Sequence, residues 1–202
     1  FNHPLVTAKQ LATVDRMSGG RAGLNVVAGW NKPEYDAMGS GLPDGHDDRY
    51  NQAQEWFDII NQAWETKGQF DWDGDFYQLK GAEAMPKPLG DSRMPVFNAG
   101  SSTQGRGFSA RNADYSFTIV DGPEDAANIV QSIQKKAREE FKRAANVLTI
   151  THTVVRPTEE EAREFYHWYS VENRDHDAVE NIMHLMGAHS QSFTPEMLET
   201  YR

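Results

Sequence analysis

HDDRY, His46 to Tyr50, places an imidazole, two carboxylates, a guanidinium and a phenol within five residues. Arg49 and Tyr50 suit a phosphate or a carboxylate, one through a charge-assisted fork and the other through a hydroxyl donor. An Arg49 paired with Asp47 or Asp48 on a solvated face is the plainer alternative. AGSS, Ala99 to Ser102, closes one apolar run and opens a helical one. A glycine there permits close backbone approach, Ser101 and Ser102 offer hydroxyls, and the first amides of the helix point outward with the positive end of its dipole. The combination reads as a phosphate seat, or as an ordinary serine N-cap. In LNVVAGWNKPEY, Leu24 to Tyr35, Asn25 interrupts an apolar run. A buried amide costs free energy unless something bonds to it, so Asn25 is either a satisfied core amide or a residue facing a ligand.

These groups are held by alternating helical and strand-like segments. Leu5, Ala8, Leu11, Ala12 and Val14 recur at helical spacing from Pro4 to Met17, and SGG ends the pattern. A strand is expected over Ala22 to Ala28, then a polar loop to Asp48. A helix follows over about Asp48 to Thr66, with Tyr50, Ala53, Trp56, Phe57, Ile60 and Trp64 on one face. GQFDWDGDFYQLKG, residues 68–81, alternates aromatic and polar residues around Asp73-Gly74, which predicts a surface hairpin. Further strands are expected over Pro95 to Gly100, Asp114 to Val120 and Val147 to Val155. Helices are expected to about Asn112 and from Gly122 to Phe141.

Short, nearly apolar strands alternating with helices predict an α/β fold with a parallel sheet covered by helices. The polar loops follow strands, as barrel active sites require, and no strand carries a G-x-G-x-x-G fingerprint; the glycines of TQGRGFSA have the wrong spacing. A (β/α)8 barrel is therefore expected over a dinucleotide fold.

The 202 residues are 38% hydrophobic, enough for a sizeable core. A net charge of -10 without a basic cluster argues against nucleic acid. The chain has no cysteine, which excludes thiolate chemistry and sulfur-ligated metals. No apolar run approaches the roughly 20 residues that span a bilayer, so no membrane partner is expected and a cytoplasmic location is the default. His167, His176, His184 and His189 are spaced by nine, eight and five, which does not align neighbours at the i, i+4 step of a metal-binding helix. Both ends of the chain read as the edges of a fragment.

The succession NHP, ATVDRMSGGRAGLNVVAGW, PEYDAMG, HDDRY, WDGDFYQL, PKP and NAGSS resembles the bacterial luciferase-like, flavin-dependent monooxygenases. Within them it is most similar to the two-component branch of pyrimidine, alkanesulfonate and dimethylsulfone monooxygenases, from Asn2 to about Pro157. The resemblance implies a luciferase-like TIM barrel, here without its first strands and its last, occupying 1–202 as one domain. The hairpin at 68–81 and a helical lid region at 158–202 would be insertions in it. It implies reduced FMN at the barrel mouth, dioxygen as co-substrate and a separate NAD(P)H-dependent flavin reductase as partner. A homo-oligomer is expected as the assembly.

Position by position, the resemblance makes Asn25 a flavin-contacting and catalytic residue, with Val26, Val27 and Trp30 as walls of the oxygen pocket. Glu34 becomes a flavin-side carboxylate, Arg49 and Tyr50 the RY pair of the FMN site, His46 a flavin-site histidine, and Ser101 and Ser102 the phosphate seat. His152 is the candidate substrate-facing donor or proton shuttle, since imidazole titrates near neutrality; a histidine pointing out between sheet and helices is the alternative. The sulfonate enzymes carry an R-x-H pattern in this strand, where Ile150 replaces the arginine, and the pyrimidine enzymes lack the histidine. A sulfonate anion would lose a charged partner and neither pattern fits cleanly, so within the range of sulfone, sulfonate or pyrimidine-like substrates a sulfone or another small neutral molecule stays open. A non-catalytic flavin-binding relative and a deazaflavin-dependent oxidoreductase of the same fold are the alternatives.

Overall fold

The structure, a computed structural model, describes residues 2–43, 45–90, 93–120 and 122–189. They form two compact units, Phe1–Thr149 and Ile150–Arg202.

The first unit opens with α1, Pro4–Ser18, whose N-terminus is capped by His3: its Nδ1 accepts from the Leu5 amide at 3.3 Å. Ala8 and Ala12 are wholly buried and let α1 pack closely against α3, His46–Glu65, where Trp64 donates its indole N–H to the Ala8 carbonyl at 3.1 Å. Between them lie β1, Leu24–Val26, and α2, Lys32–Ala37. After α3 come the hairpin strands β2, Phe70–Asp73, and β3, Gln78–Ala82, then β4, Val96–Asn98, and α4, Thr103–Asn112. The unit ends with β5, Tyr115–Thr118, α5, Pro123–Phe141, and β6, Asn146–Thr149.

Four parallel strands run in the order β1-β4-β5-β6, and β2 pairs antiparallel with β3. Parallel pairing requires long crossovers, which the helices supply. One face of the sheet, Leu24, Val26, Val96, Asn98, Ser116 and Thr118, is buried. On it a core of Phe57, Ile60, Met94 and Phe108 forms, continued under α5 by Ile129, Ile133 and Ala137. The opposite face carries Asn25, Phe97, Tyr115 and Phe117, with the Phe97 and Tyr115 rings stacked at 4.9 Å.

Several expectations are corrected. Asn25 is exposed between buried Leu24 and Val26, so it is not a core amide. The apolar run hid a simple alternation of faces. The strand expected over Val147 to Val155 stops at Thr149, because its ladder partner β5 ends opposite at Thr118; Ile150 is 77% exposed. The strand expected over Ala22 to Ala28 shrinks to the three residues that β4 can pair. The loop read between residues 29 and 48 contains α2, which buries nothing and so had no apolar stripe to announce it.

The second unit contains α6, Glu159–His167, capped by Thr158, a π-helical turn at Trp168–Glu172, and α7, His176–His189. Phe165 stacks on Trp168 at 5.7 Å, and the Arg156 guanidinium lies 3.6 Å above its ring. Residues 190–202, part of the expected lid region, lie outside the described residues. Among those described, no helix is long and apolar enough to cross a membrane, and no three His, Asp or Glu side chains form a metal-like group.

Candidate functional site

The carboxyl ends of parallel strands are where a sheet of this kind presents ligand-binding loops. After β1 the chain turns through Gly29, whose φ of +91° lies in the left-handed region; a Cβ there would collide with the Tyr35 hydroxyl and with Leu42. The turn therefore demands glycine, and α2 folds back beside it. Around this turn lies a cavity of about 550 Å³. Its floor is the stretch from Asn25 to Gly29, and Trp30, Glu34 and Tyr35 form one side. The α3 helix supplies Arg49, Gln52, Ala53 and Trp56, which stand at i, i+3, i+4 and i+7 and so share one stripe. His3 and Tyr77 also line it, their rings packed edge to face at 6.0 Å.

Arg49 is 5% exposed and donates from Nη1 to the Gly29 carbonyl at 3.3 Å, tying α3 to the β1 turn. Burial pushes the Tyr35 phenol above its ordinary pKa, Glu34 adds to the shift and Arg49 opposes it. Burial likewise raises the Tyr77 phenol, against a hydrogen bond with Gln52 that lowers it. Both phenols are neutral at physiological pH and can act as hydrogen-bond donors.

A second cluster forms where β4 enters α4. Ser102 is the N-cap, its Oγ accepting from the Gly105 amide at 3.1 Å, so the ordinary capping role is present. The Tyr50 phenol is hydrogen-bonded to Ser102, and burial raises its pKa, with that bond and Arg49 acting the other way. A Cβ on Gly100 would lie 2.6 Å from Gly105 Cα and 2.6 Å from the Tyr50 hydroxyl. Two glycine backbones thus touch, and a phenol and a hydroxyl stand over the first amides of a ten-residue helix. That is a surface of hydrogen-bond donors at the positive end of a helix dipole, suited to an anion.

Of the residues singled out from sequence, Asn25, Val26, Val27, Trp30, Glu34 and Arg49 line one cavity, and Tyr50 meets Ser102 at the α4 N-terminus. Ser101 is exposed in the same loop. His46 is the first residue of α3, and its side chain lies outside the described residues. His152 is exposed in the second unit. Sequence reading passed over Gln52 and Tyr77; Gln52 was legible as the i+3 neighbour of Arg49, whereas Tyr77 reaches the cavity only through the fold of the hairpin.

Parallel strands with polar groups gathered at their carboxyl ends define the α/β proteins that bind ligands at a barrel mouth. The profile of the luciferase-like monooxygenases matches residues 1–199, and the chain belongs to that family. It is 36% identical over 160 residues to an FMNH2-dependent dimethylsulfone monooxygenase of Pseudomonas putida, covering 79% of this chain and 43% of that protein. It is 34% identical over 179 residues to the pyrimidine monooxygenase RutA of Variovorax paradoxus, covering 87% and 47%. The chain thus spans about half the length of the curated relatives it matches. Among solved structures, a riboflavin lyase with modified FMN and riboflavin superposes with a TM-score of 0.75 at 26% identity, over 83% of this chain and 42% of that one. DmoA from Hyphomicrobium sulfonivorans shares the fold with a TM-score of 0.73 at 19% identity, over all of this chain and 53% of its own.

Proposed function

We propose that this chain carries the flavin site of an FMNH2-dependent monooxygenase that uses dioxygen to oxidise a small organic substrate, a sulfone, sulfonate or pyrimidine-like molecule. Reduced flavin comes from a separate NAD(P)H-dependent reductase, and the enzyme works in the cytoplasm as a homo-oligomer. The observation that carries the reading is the gathering of Asn25, Glu34 and Arg49 around one cavity, with Tyr50, the neighbour of Arg49 on α3, paired to Ser102.

The residues fit FMN. The phosphate needs N–H and O–H donors without a competing carboxylate, and Tyr50, Ser101, Ser102 and the α4 amides supply them over a glycine floor. The ring system needs a flat apolar wall with a few polar groups, which Val27, Trp30 and Asn25 offer. Held there, reduced FMN would supply the electrons for activating dioxygen. Asn25 orients the ring through an amide that both donates and accepts. Val27 and Trp30 would exclude water from the place of dioxygen, while the Val26 side chain, 4% exposed, belongs to the core face of β1. Arg49 holds the β1 turn against α3 and would supply positive charge to a bound flavin, and Glu34 lines the same cavity.

The test is turnover. The full-length protein, supplied with a flavin reductase, NADH and FMN, is offered dimethylsulfone, alkanesulfonates and pyrimidines, and oxygenated product is followed by mass spectrometry with labelled dioxygen. Label in the product of one class supports the reading; flavin oxidation without labelled product across all three contradicts it.

A further inference from the structure

Asn98, the last residue of β4, is 2% exposed and makes three hydrogen bonds. Its Nδ2 donates to the Val26 carbonyl at 2.7 Å, and its Oδ1 accepts from the Gly100 amide at 3.0 Å and from Ser109 Oγ at 2.7 Å. Ser116 Oγ donates in turn to Ser109 Oγ at 3.2 Å, which brings β5 into the same buried node. Val26 and Asn98 are the last paired residues of β1 and β4. Beyond them the strands part, one toward the cavity and the other toward α4. The Asn98 side chain therefore adds one rung to a ladder whose backbone has run out. Its other end fixes the plane of the Gly100 amide, the residue whose bare Cα lets Gly105 and the Tyr50 hydroxyl close in.

An apolar residue would fill this position between sheet and helix without any need for partners, so a satisfied amide here serves register more than stability. We propose that Asn98 is a positioning residue for the cofactor: it sets the distance between the cavity floor at Val26 and the anion seat at Gly100, so that one ligand can fill both. This rests on the flavin reading given above. It concerns the coupling between two subsites, and it assigns Asn98 no contact with the cofactor.

FMN and riboflavin share the ring system and differ in the phosphate, so the ratio of their dissociation constants reports that coupling. Both are measured by quenching of flavin fluorescence on the full-length protein, for wild type, Asn98→Ala and the milder Ser109→Ala, with thermal midpoints alongside. Wild type binds FMN more tightly than riboflavin. Asn98→Ala lowers that preference about tenfold through weaker FMN binding, with riboflavin affinity nearly unchanged, and Ser109→Ala lowers it less. Should Asn98→Ala fail to fold, Ser109→Ala, which removes one of the two donors to Asn98 Oδ1 without adding charge, decides in its place. A lowered midpoint with an unchanged preference assigns Asn98 to stability alone and overturns the inference while leaving the flavin reading standing. A wild-type protein that binds no FMN overturns both.

Discussion

Gly100 has room for a hydrogen and nothing larger. A Cβ there would press on Gly105 Cα and on the Tyr50 hydroxyl at once, both at 2.6 Å. Gly100→Ala must part β4 from α4 or displace the phenol, and it is expected to weaken FMN binding about tenfold while costing about 1 to 3 kcal/mol of stability. Equilibrium titration and thermal unfolding check the two together. Tyr50 sets the pH behaviour of the same seat. Burial raises its pKa above the ordinary phenol value, so the folded chain favours the neutral form. That contribution is whole below about pH 10 and is lost as pH rises through the raised value. FMN affinity is therefore expected to be flat from pH 7 to about 9, and to fall below about pH 6, where the phosphate takes up a proton. A decline between pH 7 and 9 that Tyr50→Phe abolishes would contradict the assignment.

At the scale of elements, α3 joins most of the site. Its first turns give Arg49, Gln52 and Trp56 to the cavity and Tyr50 to the anion seat, and Glu55, next to Trp56, holds the hairpin. Glu55 Oε1 accepts from Trp72 Nε1 at 3.0 Å and the Tyr77 amide at 2.8 Å, and its Oε2 accepts from the Phe76 amide at 2.9 Å. Removing three hydrogen bonds to one carboxylate, Glu55→Ala is expected to cost about 2 kcal/mol and to speed amide exchange at Phe76 and Tyr77 far more than in β4. Exchange measured by mass spectrometry reads the difference. Helices with a broad apolar face, such as α3 and α5, were legible in the sequence because burial leaves a 3.6-residue period. So was the hairpin, through Asp73-Gly74. The strand ends were not, because a strand stops where its neighbour stops, and that neighbour is 72 residues away for β1. The exposure of Asn25 was hidden for a related reason: Leu24 and Val26 face the core, while Val27 is apolar and 57% exposed, so the two faces did not separate by polarity. Arg49, Tyr50 and Ser102 were candidates by residue type, each with a plain structural alternative that only the family resemblance outweighed, whereas Asn98 and Tyr77 become readable only once β4 and the hairpin are placed.

For the molecule as a whole, the two ends of the sheet have different tasks. The carboxyl end carries the cavity and the glycine-rich seat. At the amino end Asp114 binds the chain together: its Oδ1 accepts from Arg93 at 2.8 Å and Arg143 at 2.9 Å, and its Oδ2 from the Val96 amide at 2.9 Å. Arg143 also donates to the Ala113 carbonyl at 2.6 Å, at the end of α4. Asp114→Ala leaves two guanidinium groups and an amide without their shared acceptor. It is expected to cost about 2 kcal/mol of stability while leaving FMN affinity of the folded protein within about twofold, measured by denaturant unfolding beside flavin titration. Separate responses at the two ends are what a barrel with its chemistry at one mouth requires.

The decisive measurement is a titration of the full-length protein with FMN, beside Arg49→Ala and Ser102→Ala. Wild type is expected to bind FMN, with each variant weakened about tenfold or more at an unchanged fold by circular dichroism. Variants that bind FMN as tightly as wild type would place the flavin elsewhere and contradict the site described.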